Sequence, residues 1–247
     1  MKLKERFLKF ITSFENALFA NHSCNSCGRE IADGTEFQMC ELCRSKVERL
    51  DGDVCTKCGD KLAVGMMICD HCKDFDYVFK ENRSFAYYEN SIANIVKGLK
   101  FGHKKYLAKD IAEMMLTLGG YFDDVDVIAF VPISKERERE RGFNQAEAIA
   151  EELGKLLEIE VVDALEKVSN GKHQAELSQQ ERMKNLIGSF AEKENMKDKI
   201  KGKVVLIVDD VFTTGATLNE CSKTIKNLKP KSVKTVTFAK TKFNLSK

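Results

Sequence analysis

Long apolar runs are missing from this 247-residue chain. The longest, around residues 204–208, falls far short of the roughly 20 residues a membrane-crossing helix needs, which excludes a helical span. Net charge is nearly missing too. Forty Lys and Arg stand against 38 Asp and Glu, so the field of a strongly basic nucleic-acid binder is excluded. Acidic residues stop at Glu220, after which come Lys223, Lys226, Lys229, Lys231, Lys234, Lys240, Lys242 and Lys247. That run is open to two readings, a solvated face or a surface that favours phosphate-bearing partners through counterion release. No small-residue cleavage site follows the first 20 residues, and charges run on through the apolar positions Leu3, Phe7, Phe14 and Leu18. This stretch reads as an amphipathic helix packed on the rest of the protein, with a membrane-surface helix as the alternative. At 43% hydrophobic, the chain suffices for one medium domain and a small module.

What the chain does have is cysteine, concentrated in its first third. Eight of nine form pairs of one spacing: Cys24/Cys27, Cys40/Cys43, Cys55/Cys58 and Cys69/Cys72. Without a secretory signal the thiols are expected to stay reduced, so metal is the better reading than a disulfide framework. Two thiolates separated by two residues hold one cation through a tight turn, and two such turns complete a closed tetrahedral zinc site. "CNSCGREIADGTEFQMCELC" and "CTKCGDKLAVGMMICDHC" repeat this arrangement, each with a glycine, Gly28 or Gly59, just past its first pair. We read two zinc ribbons, each closing its own structural site; the spacing also allows an interleaved pairing. His22 and His71 are conceivable substitute ligands, although four cysteines per site suffice. Residues 1–80 carry 12 Lys and Arg against 13 Asp and Glu, which does not mark the ribbons as a DNA clamp.

Beyond residue 81 the pattern changes to alternating strands and helices. "RSFAYY", "VDVIAFVP", "IEVVD", "KVVLIVDD" and "SVKTVTFAK" read as strands, and "SIANIVKGLKF", "KYLAKDIAEMMLTLGG" and "NQAEAIAEELGKLLE" as helices. The strand at 204–208 is apolar at every position, as in a parallel sheet covered on both faces. The expected fold is doubly wound α/β, with ligands at the carboxyl ends of the strands. There the sequence reads "VVLIVDDVFTTGATL", residues 204–218: a strand ending at Val208, then Asp209 and Asp210, then small hydroxyl residues around Gly215. Free amides at a helix start and nearby hydroxyls suit a phosphate; carboxylates suit sugar hydroxyls or a hydrated Mg²⁺. A sugar phosphate is the ligand class expected. Cys221, one turn into the following helix, reads as a packed small hydrophobe.

This motif resembles the phosphoribosyl pyrophosphate (PRPP) signature of type I phosphoribosyltransferases. "VPISKERERERGFNQAEAIAEELG", "KVSNGKHQAELSQQERMKNLIGSF" with Gln174, Leu177, Arg182 and Asn185, and the paired ribbons upstream narrow the likeness to the ComF (ComFC) family of competence-associated phosphoribosyltransferase-like proteins. Two departures are Ala216, where many members have a second glycine, and Lys167, where they often have Arg. The resemblance implies a type I phosphoribosyltransferase-like α/β fold over 81–247, a parallel sheet flanked by helices, preceded by a helix and double zinc ribbon over 1–80. It implies that Asp209 and Asp210 hold the ribose 2- and 3-hydroxyls and serve catalysis, that Thr213, Thr214, Gly215, Ala216 and Thr217 wrap the 5-phosphate, that residues 131–134 form the pyrophosphate loop, and that 167–185 form a mobile lid. Arg137, Arg139 and Arg141 are candidates for pyrophosphate or a partner's phosphate, but their alternation with Glu136, Glu138 and Glu140 also fits a solvated helix end. The "GFNQ" tail fits a structural turn equally well, and His103 and His173 are weak acid–base candidates.

The function expected from the resemblance is PRPP binding in DNA uptake and natural transformation, with two structural zinc ions at Cys24, Cys27, Cys40, Cys43 and at Cys55, Cys58, Cys69, Cys72, and Mg²⁺ accompanying PRPP. An active phosphoribosyltransferase of nucleotide metabolism and a non-catalytic PRPP sensor are the alternatives. The expected partners are PRPP or a nucleotide, with single-stranded DNA and a competence helicase or other DNA-processing protein as further candidates; the expected location is cytoplasmic, with the inner membrane face as a candidate site. The acceptor is not visible: no segment reads as a nucleobase pocket.

Overall fold

The computed structural model describes residues 23–32, 34–168, 186 and 188–243. The helix expected over the first 20 residues, His22, and the lid segment beyond Val168 with His173, Gln174, Leu177, Arg182 and Asn185 lie outside the described residues.

The two ribbons repeat one another bond for bond. Cys24 N–H donates to Arg29 O (2.7 Å) and Gly28 N–H to Cys24 O (2.8 Å); Cys55 N–H donates to Asp60 O (2.7 Å) and Gly59 N–H to Cys55 O (2.9 Å). Both glycines sit at positive φ, 74° and 72°, where a side chain is strained. Cys40 and Cys69 each begin a single helical turn, Glu41–Arg44 and Asp70–Lys73, that carries the fourth cysteine of its cluster.

The rest is built from β1 (Asn82–Tyr87), α1 (Asn90–Phe101), α2 (Leu107–Leu116), β2 (Val127–Phe130), α3 (Lys135–Arg141), α4 (Gln145–Leu157), β3 (Val161–Val162), β4 (Leu165–Lys167), β5 (Phe190–Glu192), α5 (Lys197–Ile200), β6 (Val204–Phe212), α6 (Ala216–Asn227) and β7 (Ser232–Lys240). Five strands form one sheet in the order β1-β7-β6-β2-β3, every pair parallel, while β4 and β5 make a separate antiparallel pair. Apolar residues at helical spacing explain the cover: Ile92, Ile95, Val96 and Leu99 on α1, Ile149 and Leu153 on α4, and Leu218, Cys221 and Ile225 on α6 are all buried. Cys221 is thus the packed residue its setting suggested.

Topology fixes where a ligand fits. From β2 the chain crosses by α4 to β3 on one side; from β6 it crosses by α6 to β7 on the other. Right-handed crossovers in opposite directions put α4 and α6 on opposite faces and leave a crevice between the carboxyl ends of β2 and β6.

One expectation is corrected here. β6 does not end at Val208 but runs through both aspartates to Phe212, because β7 stays paired with it as far as Phe212↔Lys240. Only its other neighbour stops. Val131 N–H makes the last bond, to Val208 O (3.0 Å), and Pro132, which has no N–H, turns β2 away.

Candidate functional site

A cleft of about 420 Å³ opens at that crevice. Its walls bring together Asp209 and Asp210 from β6, Thr213 from the loop after it, Thr217 from the first turn of α6, Arg137 and Arg141 from α3, and Lys167 from β4. Thr214, Gly215 and Ala216 do not face the cleft. Thr214 Oγ1 accepts from the N–H of Ala216 (3.3 Å), and Gly215 precedes α6 at φ 75°. A Cβ there would lie 2.6 Å from Phe212 Cζ and 2.8 Å from Tyr77 Cε1, so only glycine fits. Ala216 is the first helical residue, and its φ is negative, so a glycine is not required.

The two aspartates differ in setting. Asp210 is buried and its Oδ2 lies 2.8 Å from the ammonium of Lys100, in the last turn of α1. Among the described residues Asp209 has no such ion pair; its Oδ1 accepts from the Asp210 N–H (2.8 Å). Burial, and then the adjacent Asp210 charge, push the Asp209 carboxyl up to about 7. Burial, and then the Arg137 charge, lower the ammonium of Lys167. A cleft holding two carboxylates and four cations is set up for a ligand that carries both hydroxyls and anionic groups.

On the opposite wall, α3 begins at Ser134, whose hydroxyl accepts from Arg137 N–H (3.3 Å), and ends at Gly142 with φ 80°. The "GFNQ" tail is a turn with a second job. Asn144 caps α4 by accepting from Ala146 N–H (3.0 Å), and its Nδ2 donates to Val131 O (3.0 Å), tying the loop after β2 to the helix. Arg141 Nη1 donates to Gln145 Oε1 (2.8 Å), which aims the guanidinium along the cleft wall. Arg139 turns back to Lys135 O (3.2 Å) and does not line the cleft, and His103 is engaged with Arg141 O (3.1 Å).

The cysteines gather into two sets, Cys24, Cys27, Cys40, Cys43 and Cys55, Cys58, Cys69, Cys72, with the sulfurs of each set within 4.8 Å of one another. Pairing is therefore local rather than interleaved. Sulfur separations of 3.8 Å (Cys27 to Cys40) and 3.6 Å (Cys58 to Cys69) match the edge of a tetrahedron with metal–sulfur bonds of about 2.3 Å. Backbone N–H groups of Cys40 and Cys69 point at Cys24 and Cys55 sulfur (3.4 Å each), as thiolate ligands require. His71 is not needed as a ligand; its Nε2 meets the Tyr77 hydroxyl.

A family model for the phosphoribosyl transferase domain matches residues 110–243, and one for the double zinc ribbon domain matches residues 14–73. The chain belongs to the phosphoribosyl transferase domain family. Within it the likeness to the ComF proteins holds over most of the length. The chain is 28% identical to competence protein ComFC of Bacillus subtilis (74% of this chain, 75% of that protein), 24% identical to competence protein F of Haemophilus influenzae (85% and 93%), and 26% identical to DNA utilization protein YhgH of Escherichia coli (81% and 88%). This member of the phosphoribosyl transferase family thus carries a double zinc ribbon with two four-cysteine sites suited to zinc.

Sequence reasoning missed Lys100, Asn144, Tyr88 and Thr241, all of which line the cleft. Asn144 stood in a quoted motif and is legible as a cap; nothing in "IVKGLKF" marks one lysine as the partner of Asp210. The C-terminal lysines are not one continuous surface. Lys234 and Lys240 are buried and paired with Asp124 and Asp60, Lys242 is held by Glu48 and Glu89, and Lys223 by Glu220. Among the described residues no helix is long and apolar enough to cross a membrane.

Proposed function

We propose that the cleft binds PRPP with Mg²⁺ and that the protein serves DNA uptake as a PRPP-dependent member of the ComF group, with a boundary near residue 80 between ribbon and phosphoribosyltransferase domains. The single observation that carries this reading is the meeting of Asp209, Asp210, Thr213 and Thr217 with Arg137 and Arg141, segments about 70 residues apart in sequence, around one cleft. Asp209 and Asp210 accept hydrogen bonds from the ribose hydroxyls. Thr213, in the loop after β6, and Thr217, in the first turn of α6, hold the 5-phosphate at the helix start. Arg137 and Arg141 face the pyrophosphate, where guanidinium forks match phosphate oxygens. Mg²⁺ bound with PRPP would neutralise charge on the pyrophosphate group beside Arg137 and Arg141. The names of the relatives support a role in competence and DNA use; the pairing of the C-terminal lysines shifts the weight from direct DNA binding toward partner proteins.

Calorimetry with Mg²⁺–PRPP tests the proposal, with pyrophosphate release followed in the same samples. Wild type binds, and Asp210→Asn weakens binding by at least about tenfold through loss of a charge-assisted contact. Absence of binding by wild type at millimolar PRPP overturns the reading. Pyrophosphate release with an acceptor identifies a transferase, and binding without release a sensor.

A further inference from the structure

We propose that the second zinc ribbon is part of the phosphate loop's scaffold, with Tyr77 the positioning residue that joins them; this rests on the PRPP reading of the cleft. Tyr77 is buried, and its hydroxyl donates to the carbonyl of Thr214 (2.7 Å), in the middle of the loop between Thr213 and Thr217. One residue on, Val78 N–H donates to Asn219 Oδ1 (2.7 Å) in the first turn of α6. The Tyr77 ring closes the space behind Gly215. Segment 77–79 therefore grips both the loop and the helix start.

The same segment is held from the other side by both knuckles of the second cysteine cluster. His71, between Cys69 and Cys72, lies with Nε2 3.0 Å from the Tyr77 hydroxyl. That hydroxyl has one proton, already given to Thr214, so His71 is the donor through Nε2–H. Lys57, between Cys55 and Cys58, donates through Nζ to the carbonyls of Tyr77 (3.2 Å) and Phe79 (3.5 Å). Each knuckle thus supplies one side chain to the segment that fixes the loop. The first ribbon attaches elsewhere: Asn25 Nδ2 donates to Asp110 of α2 (2.9 Å) and Asn94 of α1 to Ser26 (3.4 Å). The two clusters are therefore unequal in function, and metal in the second alone bears on the loop.

Amide hydrogen exchange over residues 212–218 reads this without any ligand. Tyr77→Phe, which keeps the ring, is expected to speed exchange there about tenfold, because the Thr214 carbonyl loses its donor. Exchange over residues 127–130 stays at the wild-type rate and shows that the fold is intact. Lys57→Met, which cuts the second link, and Cys69→Ser, which empties the second cluster, loosen the same segment, whereas Cys27→Ser in the first cluster leaves it unchanged. PRPP binding by Tyr77→Phe is weakened about tenfold, with zinc content still two per chain. Wild-type exchange at 212–218 in Tyr77→Phe, or equal loosening by Cys27→Ser and Cys69→Ser, overturns the proposal. Wild type that fails to bind PRPP while Tyr77→Phe still loosens the loop overturns the PRPP reading of the cleft and leaves the positioning role standing.

Discussion

Asp209 holds its charge against its surroundings. Lys100 balances Asp210, so among the described residues the pair keeps one carboxylate without an ion-pair partner, raised from the ordinary aspartate value of 3.8 to about 7 by burial and then by the Asp210 charge. The folded protein therefore binds that proton more tightly than the unfolded chain does. The resulting cost to stability is absent below about pH 4, grows between pH 4 and 7, and is constant above. Asp209→Asn removes it, so the ligand-free variant is expected to melt a few degrees above wild type at pH 8 and to gain less at pH 5. Thermal unfolding at the two pH values measures this, and equal shifts at both would mean that Asp209 titrates like a surface carboxylate. Asp210→Asn is expected to behave oppositely, because it leaves the Lys100 ammonium half-buried without its anion. A carboxylate that is expensive in the empty site and relieved by hydroxyl donors or a cation is a sign of binding machinery rather than scaffold.

Elements were legible wherever one residue pattern decided them. Continuous apolar positions announced β6, and i, i+3, i+4 spacing announced α1, α4 and α6, since burial of a face is the dominant local term. The end of β6 was not legible, because it is set by β7 remaining alongside, a partner 28 residues away in sequence. Asp209 and Asp210 could be picked out from a local motif, whereas Lys100 could not, since its role exists only once α1 is folded against the sheet. Glycines show the same divide. Gly154 stands inside α4, and a Cβ there would run into Val161 Cγ2 and sit 2.9 Å from Ile159 O, so it is the contact that lets α4 close onto β3. Gly154→Ala is expected to destabilise by about 1–3 kcal/mol, despite alanine's better helix propensity, because the Ile159 carbonyl is backbone and must shift. Chemical denaturation gives the number; a variant as stable as wild type would show that the helix end adjusts freely.

At the scale of the whole molecule, the cysteines specified two metal sites but not that the ribbons and the α/β domain are one structure. The chain between the ribbons is an extra edge to the sheet. Leu50 N–H donates to Phe85 O (3.0 Å), Tyr87 N–H to Glu48 O (2.9 Å), and Arg49 bridges Ala86. Asn82 at the start of β1 donates to Cys58 O (3.1 Å) in the second ribbon. Lys240 at the end of β7 is fully buried, 3.2 Å from Asp60 and 3.5 Å from the centre of the Phe243 ring. That buried ammonium has Asp60 as its anionic partner, and Asp60 is set by the turn that Cys55 and Cys58 close. Metal binding to four-cysteine sites contributes on the order of 10 kcal/mol to folding in isolated ribbons, more than the net stability of many domains. Chelation is therefore expected to lower the melting temperature of the entire chain by well over 10 °C in one transition, with loss of two zinc ions per chain measured by elemental analysis. If instead the α/β signal melts at its original temperature after zinc is gone, the ribbons are an appended module and β1 keeps its place without them.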